Sequence, residues 1–213
     1  MQQPTVYEHR NVYDNGAGGG GVTPTPDPSL YIVGNAIRAT GKTSFDFPND
    51  DTHTNISITD KISFDIYMSN VTGGYYFGVF ECGNNSVRYL RLDFQTAYWV
   101  LRAKNRGNDF SNTFSPAITN SIKGHQAGDI SSVNSKTITT DTGSGQTFLK
   151  QFFSWGFGVG TNLFFSLKIE DENGTIKNNF IPVKRIGDGK IGFCDPYSDY
   201  FVQNSLDGTL ELI

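Results

Sequence analysis

From Lys61 to Met68 the chain alternates: Ile62, Phe64, Ile66 and Met68 fall on one side, and Lys61, Ser63, Asp65 and Tyr67 on the other. A period of two over a run of this length predicts a half-buried β-strand. The same pattern returns in Ser86 to Phe94, where Leu90, Leu92 and Phe94 share a face, and in Ala97 to Lys104, through Trp99, Leu101 and Ala103. Leu163 to Glu170 repeats it through Leu163, Phe165, Leu167 and Ile169, whereas Tyr75 to Glu81 is nearly continuous in apolar residues. Turn formers separate these runs: Gly73-Gly74, Gly83-Asn84-Asn85, Asn173-Gly174, Asp188-Gly189 and Asp207-Gly208. Asn-Gly and Asp-Gly supply the positive φ that tight hairpins require. Short strands and turns at this spacing predict an all-β fold, an antiparallel β-sandwich occupying residues 30–213.

Two stretches break the pattern. Residues 16–29 read Gly-Ala-Gly-Gly-Gly-Gly-Val-Thr-Pro-Thr-Pro-Asp-Pro-Ser, a linker flexible in its first half and stiffened toward polyproline II in its second, at ~3.1 Å per residue. It sets off residues 1–15, a polar arm whose apolar side chains are Val6, Tyr7, Val12 and Tyr13. These are too few to fold alone and enough to anchor the arm on another protein. Residues 105–150 are polar with weak periodicity and predict long loops carrying two or three edge strands, such as 129–133 and 136–140.

Composition agrees with this picture. The 213 residues include 24 Gly, 17 Phe, 10 Tyr and 2 Trp, an aromatic and turn-rich balance that disfavours a helical bundle. The formal net charge of −4 provides no basic excess for a nucleic-acid backbone. No stretch approaches the ~18 apolar residues of a spanning helix, so no membrane insertion is expected. The first ten residues carry no apolar run of the signal-peptide kind, and the product is expected to be made and assembled in the cytosol. Cys82 and Cys194 belong to no Cys-x-x-Cys pair and are read as buried free thiols, a disulfide between them being the alternative.

No catalytic set emerges. Glu170 and Glu172 share a strand face as glycanase carboxylates do, but they abut the Asn173-Gly174 turn and read as a charged hairpin tip. His9, His53 and His125 lack metal-ligand spacing, and His125 is expected in an exposed loop. We therefore expect neither an enzyme nor a resident cofactor. Calcium at Asp50-Asp51 or at Asp171/Asn173 is the one ion left open. Binding is the stronger candidate. Tyr98, Val100, Arg102, Lys104 and Arg106 would line one face of an extended strand, and Arg88, Arg91, Arg102, Lys104 and Arg106 are five of the 17 cationic residues. Such a face can stack a sugar or hold an anionic glycan through Tyr98, Arg102, Lys104 and Arg106; otherwise it is a solvated sheet surface. The string Phe148, Phe152, Phe153, Trp155, Phe157 is read as sandwich core, with a recognition patch as the alternative.

The last fifty residues carry a longer pattern. Leu167-Lys-Ile-Glu-Asp-Glu-Asn-Gly174-Thr-Ile-Lys-Asn-Asn-Phe180-Ile-Pro182-Val-Lys-Arg185 is followed by Gly189-Lys-Ile-Gly192-Phe-Cys-Asp195, Tyr200-Phe-Val-Gln-Asn204 and Asp207-Gly208-Thr. This resembles the closing strands of the laminin-G/concanavalin A-like jelly-roll modules of bacteriophage virion and gut-bacterial surface proteins. Cys194 stands where those modules carry Tyr, and Tyr200-Phe201 inverts their order. Physically the pattern is structural: Pro182 cannot donate to a ladder and should lie at an edge or bulge, and Asp195 should accept backbone N–H groups in a turn. The resemblance implies a non-enzymatic virion component, a head fibre, capsid decoration or tail module. Its arm would attach to other virion proteins, and the sandwich would be displayed as a trimer or dimer toward host-surface glycans. A free glycan-binding lectin or bacterial surface adhesin module is the alternative.

Overall fold

The computed structural model describes residues 24–47, 54–69, 75–83, 87–105, 107–115, 121–141, 143–155 and 161–213. The arm with Val6, Tyr7, Val12 and Tyr13, most of the linker, Asp50-Asp51, Arg106 and Phe157 lie outside them.

The chain opens with β1 (Tyr31–Val33), β2 (Ile37–Thr40), β3 (Thr43–Asp46), β4 (Asn55–Ser57), β5 (Lys61–Met68) and β6 (Tyr75–Cys82). Next come β7 (Arg88–Phe94), β8 (Trp99–Asn105), β9 (Phe110–Phe114), β10 (Ser121–Ala127), β11 (Ile130–Val133) and β12 (Lys136–Thr139). The last are β13 (Gln146–Trp155), β14 (Thr161–Glu170), β15 (Ile176–Arg185), β16 (Ile191–Asp195), β17 (Tyr200–Gln203) and β18 (Thr209–Leu212). Among the described residues they form two antiparallel sheets, face to face. An 11-stranded sheet runs β12-β11-β10-β5-β14-β15-β16-β17, with β1, β2 and β18 attached, and a 7-stranded sheet runs β3-β13-β6-β7-β8-β9, with β4 on β13. The expected antiparallel β-sandwich is what forms.

Alternation builds the core. β5 buries Ile62, Phe64, Ile66 and Met68, while β7 and β8 bury Leu90, Leu92, Phe94, Trp99, Leu101 and Ala103. Phenylalanine fills the middle: Phe153 stacks on Phe164 at 5.0 Å between ring centroids, Phe152 meets Phe193 at 5.2 Å, and Phe45 stands edge-on to Phe193 at 4.9 Å. Such pairs contribute roughly 0.5–1.5 kcal/mol each beyond the area they bury. Phe152 and Phe153 are therefore core, as read from the sequence, although they are adjacent. A register shift in β13 and a positive φ of 49° at Phe153 turn both rings inward.

Bulges also correct one expectation. In β14 the buried residues are Asn162, Phe164, Leu167 and Ile169, so Leu163 and Phe165 do not share the inner face with Leu167. The register against β5 slips between Phe164 and Ser166, and an extra residue in a period-two strand reverses every side chain before it.

The polar stretch 105–150 holds more strand than expected. β10 is an interior strand, paired with β5 on one side and β11 on the other, and it carries His125 opposite Ser63 and Ser132 rather than in a loop. Its inner face is Ile122, Gly124 and Gln126. A Cβ on Gly124 would run into the Ser132 carbonyl and the Phe64 ring, so glycine is required there.

Gln126 faces a buried cation. Arg88, on the inner side of β7, is wholly buried. Its Nε donates to Gln126 Oε1 at 2.7 Å, Nη1 to the Ser57 carbonyl at 3.1 Å, and Nη2 to the Asp60 and Gln126 carbonyls at 2.5 and 3.1 Å. The Asp60 carboxylate, also buried, pairs with Lys177 at 2.6 Å. One guanidinium from the smaller sheet thus bonds across to β10 of the larger, and also to β4 and the turn after it, and a polar end of the core replaces packed apolar side chains.

Pro182 corrects another expectation, since it lies inside the larger sheet. β15 pairs with β14 as far as Phe180 and with β1 from Val183, and Pro182 sits at that change of partner, its carbonyl accepting from Gly34 at 3.0 Å. Asp195 accepts more than turn bonds. Its buried carboxylate takes the Asn179 and Tyr197 N–H groups at 2.9 and 3.2 Å, the Asn178 side-chain amide at 2.7 Å and the Ser198 hydroxyl at 2.7 Å. Cys82 and Cys194 are free and buried, and burial pushes both thiols up to about 12.

The two sheets approach each other along both long flanks. On one, Phe45 of β3 bridges to Asn204, and the Ser205 N–H donates to the Ser44 carbonyl at 2.8 Å. On the other, β9 and β12 lie against each other.

Candidate ligand-binding face

With Leu90, Leu92, Leu101 and Ala103 turned inward, β7 and β8 present Tyr89, Arg91, Asp93, Val100, Arg102 and Lys104 outward. Antiparallel register sets Tyr89 opposite Lys104, Arg91 opposite Arg102, and Asp93 opposite Val100. Two arginines side by side would repel, but Asp93 lies between them. One of its oxygens accepts from Arg102 Nε, and the other sits 3.4 Å from Arg91 Nε. The Arg91 guanidinium lies over two tyrosine rings, Tyr76 at 5.3 Å and Tyr89 at 5.8 Å. Tyr89 is half-buried; burial first, then the Asp109 carboxylate that its hydroxyl bonds, raise its pKa.

The neighbouring strands continue the face. Glu81 of β6 pairs with Lys150 at 3.3 Å and accepts from the Gln151 amide at 2.9 Å, both from β13. Lys104 lies 3.7 Å from Asp109. Between these groups is an open recess of about 370 Å³, lined among others by Gly78, Glu81, Tyr89, Arg91, Lys104 and Gln151. Its chemistry is amphipathic and charge-matched: a tyrosine face, an amide, and cations that each have a carboxylate alongside. That suits a polar, neutral ligand better than an anion, which would have to displace a bound carboxylate.

The residues proposed from sequence fall in different places. Lys104 lines the recess, and Arg102 stands beside it with its guanidinium held by Asp93. Tyr98 is exposed in the turn joining β7 to β8, at the far end of the strands. Lys104 is five residues from Trp99, so roughly 16 Å separates that turn from the recess. Arg88, counted with this cationic cluster, is on the opposite side of the sheet. The sequence reading missed Gly78, Glu81, Tyr89 and Gln151. Tyr89 alternates in phase with Arg91 and was findable, whereas the other three reach the recess only through pairing across strands.

Elsewhere, Glu170 is paired with Lys168 at 2.9 Å and Lys61 at 3.6 Å. Burial raises its pKa, but the two lysines outweigh this and leave it lowered, the opposite of what a general acid needs. Asp171 accepts the Thr175 and Asn173 N–H groups at 2.8 and 2.9 Å, bonds that close the hairpin and lower its pKa. Among the described residues, no group of three or more His, Cys, Asp or Glu is gathered to hold a metal. His125 has its pKa lowered by burial and then by Lys61.

No family model matches the chain, and no curated protein does. Among solved structures it is similar to domains LG4-5 of the mouse laminin alpha1 chain, at 8% sequence identity and a TM-score of 0.39. The match takes in 87% of this chain and 52% of that one, so the chain spans about half the length of the laminin structure.

Proposed function

We propose that this chain is a non-enzymatic binding module that holds a host-surface glycan on the outer face of β6, β7 and β8. The observation that carries this reading is the recess beside Arg91 and Tyr89, where an aromatic face meets donors and acceptors whose charges are already balanced. Sugars offer an apolar ring face and a rim of hydroxyls, and that pairing of surfaces is what the recess provides. A shallow polar site of this size binds weakly alone. Several copies on one particle would raise avidity by roughly 10²–10⁴ through effective concentration. Within the same reading, residues 1–15 attach the chain to capsid or tail proteins of a bacteriophage virion. Support for that part is the arm–linker–sandwich organisation and the pattern of residues 163–209.

Two experiments test the reading. On an array of neutral oligosaccharides and their sialylated and sulfated counterparts, Tyr89→Ala is expected to lower binding at least tenfold and Tyr98→Ala to leave it unchanged. The reverse order would move the site to the β7–β8 turn, and an array without signal would remove the glycan. For the attachment, virions assembled with a chain lacking residues 1–15 are expected to contain none of it. Normal copy number in purified particles would refute the anchoring role.

A further inference from the structure

Three described glycines lie inside strands: Gly78 in β6, Gly124 in β10 and Gly192 in β16. Two are required by the fold. A Cβ at Gly124 would strike the Ser132 carbonyl, and one at Gly192 would strike the Val202 carbonyl and the Phe201 ring. Gly78 is different. Its φ lies outside the left-handed region, and a Cβ there would come no nearer than 3.4 Å to anything, the closest atom being Ser154 Cβ. The backbone therefore accepts an ordinary residue at this position. A strand interior normally favours one, because glycine loses more chain entropy on folding and packs nothing. What glycine does here is leave space. Gly78 pairs with Arg91 on one side and with Ser154 on the other, and it lines the recess. A side chain at 78 would project into the volume bounded by Tyr89, Arg91 and Gln151.

We propose that Gly78 is the specificity-determining position of this face: its missing side chain admits the ring of a neutral hexose, which lies against Tyr89 within reach of Lys104 and Gln151. This rests on the glycan-binding reading above. Neutrality follows from the pairs already formed. Lys104 has Asp109, Arg102 has Asp93, and Lys150 has Glu81, so a carboxylated or sulfated sugar gains little and meets like charge.

The test uses the full chain with Gly78→Ala and Gly78→Val. Both variants are expected to unfold at or above the wild-type temperature, since a Cβ at 78 meets only ordinary van der Waals contact and valine favours strands. On the same array, binding to neutral hexose oligosaccharides is expected to fall with Gly78→Ala and by at least tenfold with Gly78→Val. Wild-type binding retained by both variants would overturn the role of Gly78 and leave the glycan reading standing. A lowered unfolding temperature in both would show that glycine is there for the fold, and would overturn it equally. Wild-type protein that binds only sialylated or sulfated sugars would overturn the neutral ligand. Wild-type protein that binds none would overturn the glycan reading and this inference with it.

Discussion

Arg88→Ala is expected to cost about 3–5 kcal/mol of folding stability, because it leaves buried acceptors unpaired at roughly 1–3 kcal/mol each and opens a cavity in the core. The substitution strips donors from the Ser57, Asp60 and Gln126 carbonyls and from the Gln126 side chain, all at the polar end of the core. It also leaves a void where the guanidinium filled space near the Phe80 ring, 5.9 Å from its centroid. Against a typical domain stability of about 5–15 kcal/mol this is at least roughly a fifth of the total. Urea unfolding measures it directly, as a shift in midpoint at constant slope. Arg88→Met refills much of the volume and separates the two contributions. It should recover the packing part and retain the loss from unpaired acceptors. A cost below about 1 kcal/mol for Arg88→Ala would mean that water satisfies those carbonyls and that the sheets are not held together there.

Asp195 should rank next. Removing its carboxylate deprives four donors at once, two of them backbone N–H groups fixed by β15 and by the turn after β16. We expect Asp195→Ala to cost about 3–4 kcal/mol and Asp195→Asn about 2 kcal/mol, since the amide keeps one acceptor and turns its NH₂ toward groups that are themselves donors. The ordering is the sharper check. If both variants unfold at the same denaturant concentration, the acceptor that asparagine keeps stabilises nothing, and the bonds drawn to the two carboxylate oxygens are not what stabilises the turn. Because Asp195 and Arg88 share no partner, the losses should add within roughly 0.5 kcal/mol in the double variant.

How far the sequence could be read depended on where the physics is local. Alternation within one strand is local, so β5, β7 and β8 were legible, as were the Asn173-Gly174 and Asp188-Gly189 turns, whose glycines have φ of 83° and 71°. Bulges are not: nothing in Leu163 to Ile169 announces the slip that turns Phe164 inward, because the extra residue is set by pairing with β5. The region 105–150 was under-read for a related reason. Its inner residues alternate apolar with polar or absent side chains: Ile122 and Val133 are joined by Gly124, by Gln126, which bonds Arg88, and by Ser131, which bonds Gln126, and an amphipathic test reads weakly a strand whose buried side is partly hydrophilic. The clue lay in β7, where Arg88 is in phase with Leu90, Leu92 and Phe94. The outward set of β8 was legible by the same alternation. The recess was not, since Gly78 and Glu81 of β6 meet Gln151 of β13 from 70 or more positions away in sequence.

The bridged β3 edge has a consequence for crowding. A sheet ends in a row of unpaired amides and carbonyls that can recruit a stranger's strand, and proteins packed together at high density are the ones most exposed to that hazard. Here β3 is bridged to the segment after β17, so a neighbour pressed against that flank meets a bonded edge instead of an open ladder. A body with that edge occupied has one place fewer at which a crowded copy can add a strand.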